Sequence, residues 1–357
     1  MNARCRDVDW QRAEQVATWV AARRPAPSVS VDEGALAEMA AIAQERVERT
    51  TGLRSTAGPA RIEVVDRPEW IHANIQSLRA LLEPLLERLG EQRAERSGRS
   101  ARRGTGRLTA QIAGTELGAL LGAMSARVLG QYDLLLGRDS GDAVYLVGSN
   151  LATIEQRFGF PPEQFRLWVL LHELTHRAQF TGVPWMRAHF SGLIDESLSS
   201  VNPDPQAVFA ALRDALRDRV EAKARVRDGG VVSLVASPEQ RAVMRRIGGL
   251  MSLLEGHGEV TMDRAAVDLV PSAGRFGQVL RERRRQASPI AKLVQRLVGL
   301  EAKLEQYAAG ERFVGVLEAH GGRALVDRCW EVPDNLPTLD EIREPTVWLA
   351  RMGALVG

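Results

Sequence analysis

From Trp10 to Arg23 and from Glu33 to Thr50, apolar residues return at the spacing that lines one face of an α-helix, and Pro25 and Pro27 punctuate the gap. Two N-terminal helices are predicted. Ile62 to Val65 reads as a short strand. From Pro68 to Leu89 the run Trp70, Ile71, Ile75, Leu78, Leu82 and Leu86 marks a long amphipathic helix with proline in its first turn. The stretch Glu91 to Arg107 loses its large hydrophobics and gathers arginines among Ser and Gly, which predicts a solvated basic loop.

Gly114, Gly118, Gly122 and Ala126 recur every four residues on the next predicted helix, a stripe of small side chains that lets a neighbouring backbone come close. Ala143 to Gly148 is the best strand candidate, and Asn150 is then placed to cap a helix that stops before Gly159. Phe160-Pro161-Pro162-Glu163 opens a helix that runs to about Phe180, where Gly182 and Pro184 end it. Further helices are predicted over Pro205–Val226, Ser237–Leu254, Glu259–Leu269, Gly277–Arg285, Pro289–Ala308 and Gly310–Ala319, with a short last one around Trp348. Strands are few and no internal repeat is present, which predicts a mainly helical fold and disfavours a solenoid.

Composition narrows the function classes. The 357 residues carry 47 Lys+Arg against 45 Asp+Glu, a formal charge of +2, so there is no global attraction to nucleic acid or to an anionic membrane. The basic loop is the one local candidate for nucleic acid, and it lacks interleaved aromatic residues to stack on bases. Cys5 and Cys329 cannot build a disulfide framework, and the chain opens without an apolar leader, so a cytoplasmic location is expected. Leu117 to Leu129, the most membrane-like stretch, is shorter than the roughly 20 residues a span needs.

The chemistry is concentrated in His172-Glu173-Leu174-Thr175-His176, which follows the apolar block Leu167–Leu171. Residues at i and i+4 project from one helix face, so both imidazoles can reach one zinc ion while Glu173 faces a metal-bound water as general base. Two core histidines in hydrogen-bond networks are the structural alternative. A catalytic zinc site needs a third protein ligand, and Leu253-Leu254-Glu255-Gly256-His257-Gly258-Glu259 offers Glu255. Glu259, one turn on, would then accept the ring N–H of a liganding histidine. His257 could donate to a developing oxyanion if Gly256 and Gly258 break the helix, or serve as a satisfied structural histidine. Asp195 and Glu196 are the competing third ligands, His189 is expected to line a groove or pack, and His72 and His320 are expected to be bystanders.

With these residues in place, the sequence resembles the zincin-like zinc metallopeptidases, a family of hydrolases often linked by name to biosynthesis of a deazaflavin coenzyme. The resemblance rests on His172 to Phe180 and also on Asp9-Trp10, Trp70-Ile71-His72-Ala73-Asn74, Val128 to Asp133, Val183-Pro184-Trp185 and Leu254 to Glu259. Towards the C-terminus it takes in Lys303 to Tyr307, Gly310 to Val314, Asn335-Leu336-Pro337 and Trp348, so nearly the whole chain is covered. It implies a zincin-like fold, mainly α with a small sheet, in which the motif helix and a later glutamate-bearing helix grip Zn2+. It also supports Glu255 as the third ligand with Glu259 behind it. No residue here argues for binding a deazaflavin.

The resulting expectation is a zinc-dependent hydrolase, most simply a metallopeptidase, with His172, His176 and Glu255 as ligands and Glu173 as general base and then proton donor to the leaving amine. Tyr307, beside the polar Lys303 and Gln306, is the candidate oxyanion donor, with ordinary packing as its alternative. The rival reading is a non-catalytic, zinc-stabilised binding or regulatory protein, against which an intact Glu173 counts. The expected division is an N-terminal helical region, residues 1–105, packed on a metal-binding region, residues 106–357, or one compact unit. The expected partner is a peptide or small amide substrate, with room for a protein partner and with neither nucleic acid nor membrane.

Overall fold

The computed structural model describes residues 8–25, 27, 32–97, 103–133, 142–199, 237–285 and 300–354. Within these the chain is mainly helical with one three-stranded sheet. By its contacts it groups into two compact units: Met1–Arg46 with Ala57–Arg177, and Val47–Thr56 with Ala178–Gly357.

The first unit begins with α1 (Trp10–Ala22), whose N-terminus is capped by the Asp9 carboxylate accepting the Arg12 amide N–H at 3.0 Å. It continues through α2 (Glu33–Thr51, whose last turn belongs to the second unit), β1 (Arg61–Val65), α3 (Arg67–Ser97), α4 (Arg103–Ser125), β2 (Gly130–Tyr132), β3 (Ala143–Val147) and α5 (Gly148–Phe158). Residue 105 therefore falls inside α4. The stretch predicted as a basic loop, Glu91 to Arg107, is helical on both sides of residues 98–102, because Glu, Arg, Gln and Ala form helix well without a buried face.

The small-residue stripe does what its spacing predicts. A Cβ on Gly114, Gly118 or Gly122 would meet the carbonyl oxygens of Asp9, Ala13 and Ala17 in turn, so α4 lies directly on the backbone of α1. The core beside this contact is Trp10, Ala13, Ala17 and Ala21 of α1, Trp70, Ile71 and Ile75 of α3, Leu121 of α4 and Val147 of β3. β3 is central in the sheet, pairing parallel with β1 (Arg61 opposite Ala143) and antiparallel with β2 (Gly130 opposite Leu146), and all five of its residues are buried.

Asn150 does not cap α5. The helix starts two residues earlier, and the Asn150 amide donates to the carbonyls of Ser125 (2.7 Å) and Val128 (2.6 Å) while its oxygen accepts from Arg67 Nε (2.8 Å). A buried side chain with three partners ties down the end of α4, which outweighs a cap at a helix end.

The second unit is all helical among its described residues: the last turns of α2 and of α6 (Pro162–Gly182), then α7 (Met186–Ser199), α8 (Pro238–Ala265), α9 (Ala273–Arg285), α10 (Leu300–Asp327), α11 (Leu339–Arg343) and α12 (Pro345–Arg351). The helix predicted over Pro205–Val226 lies outside the described residues, as does most of the one over Pro289–Ala308. Ser237 and Gln240 form a reciprocal capping box at the start of α8. The predicted break at Gly256 and Gly258 is absent, and α8 runs straight through them. Gly256 faces Gly310 of α10 backbone to backbone, with no room for a Cβ on either, and this packing offsets the poor helix propensity of glycine. Trp348 is fully buried, edge-on to Phe313 and donating its indole N–H to the Asn335 carbonyl at 2.8 Å. No described helix is long and apolar enough to cross a membrane.

Candidate metal centre and active site

α6 is built as the sequence predicts, with Pro162 in its first turn and the Phe165 amide closing onto the Pro161 carbonyl at 3.0 Å. Leu167 to Leu171 and Leu174 are buried, which fixes the rotation of the helix about its axis. Arg177 reinforces it: the side chain is 1% exposed and donates from Nε to Asp142 Oδ2 (2.6 Å) and from Nη2 to the Gly58 carbonyl (2.9 Å).

On the remaining face, His172 and His176 stand one turn apart with their Nε2 atoms 3.2 Å from each other and their rings nearly perpendicular, at 87°. Two imidazole nitrogens this close need a shared proton or a shared cation. Zinc–nitrogen bonds of about 2.0–2.1 Å in tetrahedral geometry put ligand pairs roughly 3.3 Å apart, so the spacing suits one zinc ion. His172 and His176 belong to the first unit, and Glu255, half-buried on α8, to the second. Two imidazoles and a carboxylate are a zinc donor set that leaves a fourth position open.

Glu173, the next residue on the helix, is 7% exposed. Its Oε2 accepts the backbone N–H of Tyr132 on β2 at 3.0 Å, and Gly130 leaves the space it occupies, since a Cβ there would come within 2.7 Å of Oε1. Gly130→Ala is therefore expected to displace the carboxylate. Because the obstacle is the Glu173 side chain, from Cγ to Oε1, and not backbone, thermal stability should change by no more than about 1 kcal/mol, whereas kcat should fall by about 10–100-fold. Parallel melting curves and steady-state kinetics check this.

The model of the zincin-like metallopeptidase family matches residues 8–349. The chain belongs to that family. A crystal structure from Chloroflexus aurantiacus, presented as a candidate hydrolase with a novel fold, is similar over 98% of this chain and 100% of that one, with 34% identity and a TM-score of 0.71. No curated protein matches the chain. Membership in the zincin-like metallopeptidases implies a hydrolase that uses zinc, and the His172, His176 and Glu255 donors suit that metal.

In this zincin-like chain the other predicted residues are placed as follows. Glu196 is exposed and paired with Arg246 at 3.0 Å, and Asp195 is exposed. Glu259 is half-buried one turn after Glu255 on α8. His257 is buried, 3.0 Å from the Gln179 amide nitrogen through Nδ1 and edge-on to Trp330; with α8 unbroken, the condition for its oxyanion role is not met. Tyr307 falls on α10, and its side chain lies outside the described residues. His189 packs edge-on to Trp185, and its pKa is lowered first by burial and then by the Arg246 charge. His72 pairs with Glu14 at 2.8 Å on the surface, and His320 bonds the Val316 carbonyl.

Gly130, the Tyr132 amide and Gln179 were not assigned roles from the sequence. Gln179 also donates to the Leu254 carbonyl at 3.0 Å, which fixes the residue just before Glu255. Its signal was a polar side chain in an apolar helix stretch, in the same segment as the histidine motif.

Proposed function

We propose that the chain is a zinc-dependent peptidase acting on a peptide or small amide, with His172, His176 and Glu255 as the metal ligands and Glu173 as the proton carrier. The observation that carries this reading is the pair of imidazole Nε2 atoms 3.2 Å apart on the helix that also holds a buried glutamate beside the first histidine. Zinc, when bound, supplies Lewis-acid polarisation of a carbonyl and acidifies water.

The protein's own residues do the rest. Glu173, held by the Tyr132 amide, takes the proton from the attacking water and returns it to the leaving amine, a role that needs a carboxylate with restricted rotamers. Glu259 is assigned to orient a liganding histidine from behind, in keeping with its position one turn beyond Glu255. The candidate-hydrolase description of the Chloroflexus aurantiacus protein supports the same reaction class.

Metal content tests the ligand set. Elemental mass spectrometry of protein purified without chelator is expected to give about one zinc per chain in the parent and in Glu196→Ala, and a loss of at least about tenfold in occupancy in Glu255→Ala. A parent that takes up no zinc on reconstitution overturns the reading.

A further inference from the structure

β1 and β3 run parallel, so the helices that follow them, α3 and α5, begin at the same edge of the sheet. That edge of the first unit opens into a cavity of about 540 Å³, whose lining includes Val65 at the end of β1, Gly148 and Ser149 at the start of α5, and the two arginines Arg24 and Arg67. Helix starts beyond the carboxyl ends of parallel strands present unpaired amides and positive dipole ends to whatever lies there.

The two helix starts differ. α3 is satisfied by its own residues: Glu69 Oε2 accepts the Asp66 amide at 2.7 Å, and Asp66 Oδ1 accepts the Glu69 amide at 2.8 Å. These acids also line the cavity, but their carboxylates are engaged by their own backbone. α5 has Val147 at its N-cap and, among the described residues, no side-chain cap.

Two further observations point to a missing ligand. The Ser149 hydroxyl is shielded from solvent and has no hydrogen-bond partner in the structure, an uncommon state for a buried hydroxyl. Arg67 is 7% exposed, and among the described residues it bonds neutral acceptors, the Asn150 side-chain oxygen and the Arg24 carbonyl, with no carboxylate paired to it. Burial, and after it the neighbouring Arg24 charge, pushes the Arg67 pKa down. A buried guanidinium without a counter-ion is costly, and an anion in the cavity would relieve that cost.

We propose that this cavity binds a small molecule through a phosphate-type oxyanion, held by the first-turn amides of α5, the Ser149 hydroxyl and the Arg67 guanidinium. A tetrahedral oxyanion accepts from several directions at once, which suits donors from a helix end, a hydroxyl and a guanidinium. A cavity of this volume exceeds what one phosphate fills, so the ligand carries an organic remainder. The proposal rests on the first unit alone and is independent of the zinc reading.

The test is calorimetric titration of the full chain with inorganic phosphate. Saturable one-site binding is expected in the parent, about tenfold weaker in Ser149→Ala and lost in Arg67→Gln, and unchanged in Arg79→Gln, which alters an arginine paired with Glu83 on the exposed side of α3. Should Arg67→Gln fail to fold, Ser149→Ala decides, together with hydrogen exchange at Gly148 to Asn150, whose amides should slow when phosphate is added. No saturable binding in the parent, or equal binding in the parent and Ser149→Ala without slowed exchange, overturns the proposal.

Discussion

Glu173→Gln is expected to lower kcat/KM for any peptide substrate by about 10²–10⁴-fold while zinc content stays at the parent level. The substitution is nearly isosteric and keeps an oxygen to accept the Tyr132 amide, so the side chain remains where it is. What it removes is the ability to hold and release a proton beside the paired histidines. Single-turnover hydrolysis alongside elemental analysis separates this from metal loss. If hydrolysis persists at the parent rate with zinc in place, Glu173 is not the proton carrier. Zinc without hydrolysis in both proteins, across a broad peptide library, would favour the zinc-stabilised binding protein.

The second large effect is expected far from any proton. Gly256→Ala places a methyl group against the Gly310 backbone of α10, and Gly310 in turn lies against the Ser252 carbonyl of α8. Neither side can yield by turning a side chain, so the two helices must separate. A cost of about 3 kcal/mol is expected, at the upper end for overpacking, which corresponds to roughly 4 °C in Tm for a chain of this size. Differential scanning calorimetry reads it. Since Glu255 is the adjacent residue, zinc occupancy should fall with it, unlike in a variant such as Arg79→Gln on α3. An unchanged Tm would mean that the α8–α10 contact is looser than its geometry states.

The parts of the structure that were legible in the sequence are those decided locally. The histidine pair follows from helical spacing within five residues, and the α4 stripe follows from a repeat of four. Glu255 and Glu196 were both candidates in the sequence, because their surroundings depend on contacts distant along the chain, among them Arg246 with Glu196 and Gln179 with the Leu254 carbonyl. The glycines of α8 were read as a break because local propensity opposes helix there, and tertiary packing overrides it. The arginine-rich stretch was read for burial when propensity was the better guide, and α3 reaches Ser97. Asn150 was read as a cap since its partners at Ser125, Val128 and Arg67 are distant in sequence.

The contact of α4 on α1 bears on how mutational data for this protein should be interpreted. In a saturation screen, Gly114, Gly118 and Gly122 would tolerate almost nothing, since even the smallest side chain collides with main-chain oxygen. Scored by intolerance alone, these three would rank with the proposed zinc ligands, although they lie in the α1–α4 contact. A map of fitness drawn on this chain would show two hot regions of different origin, and only a readout that separates folded yield from turnover would distinguish the catalytic one from the one that lets two helices meet.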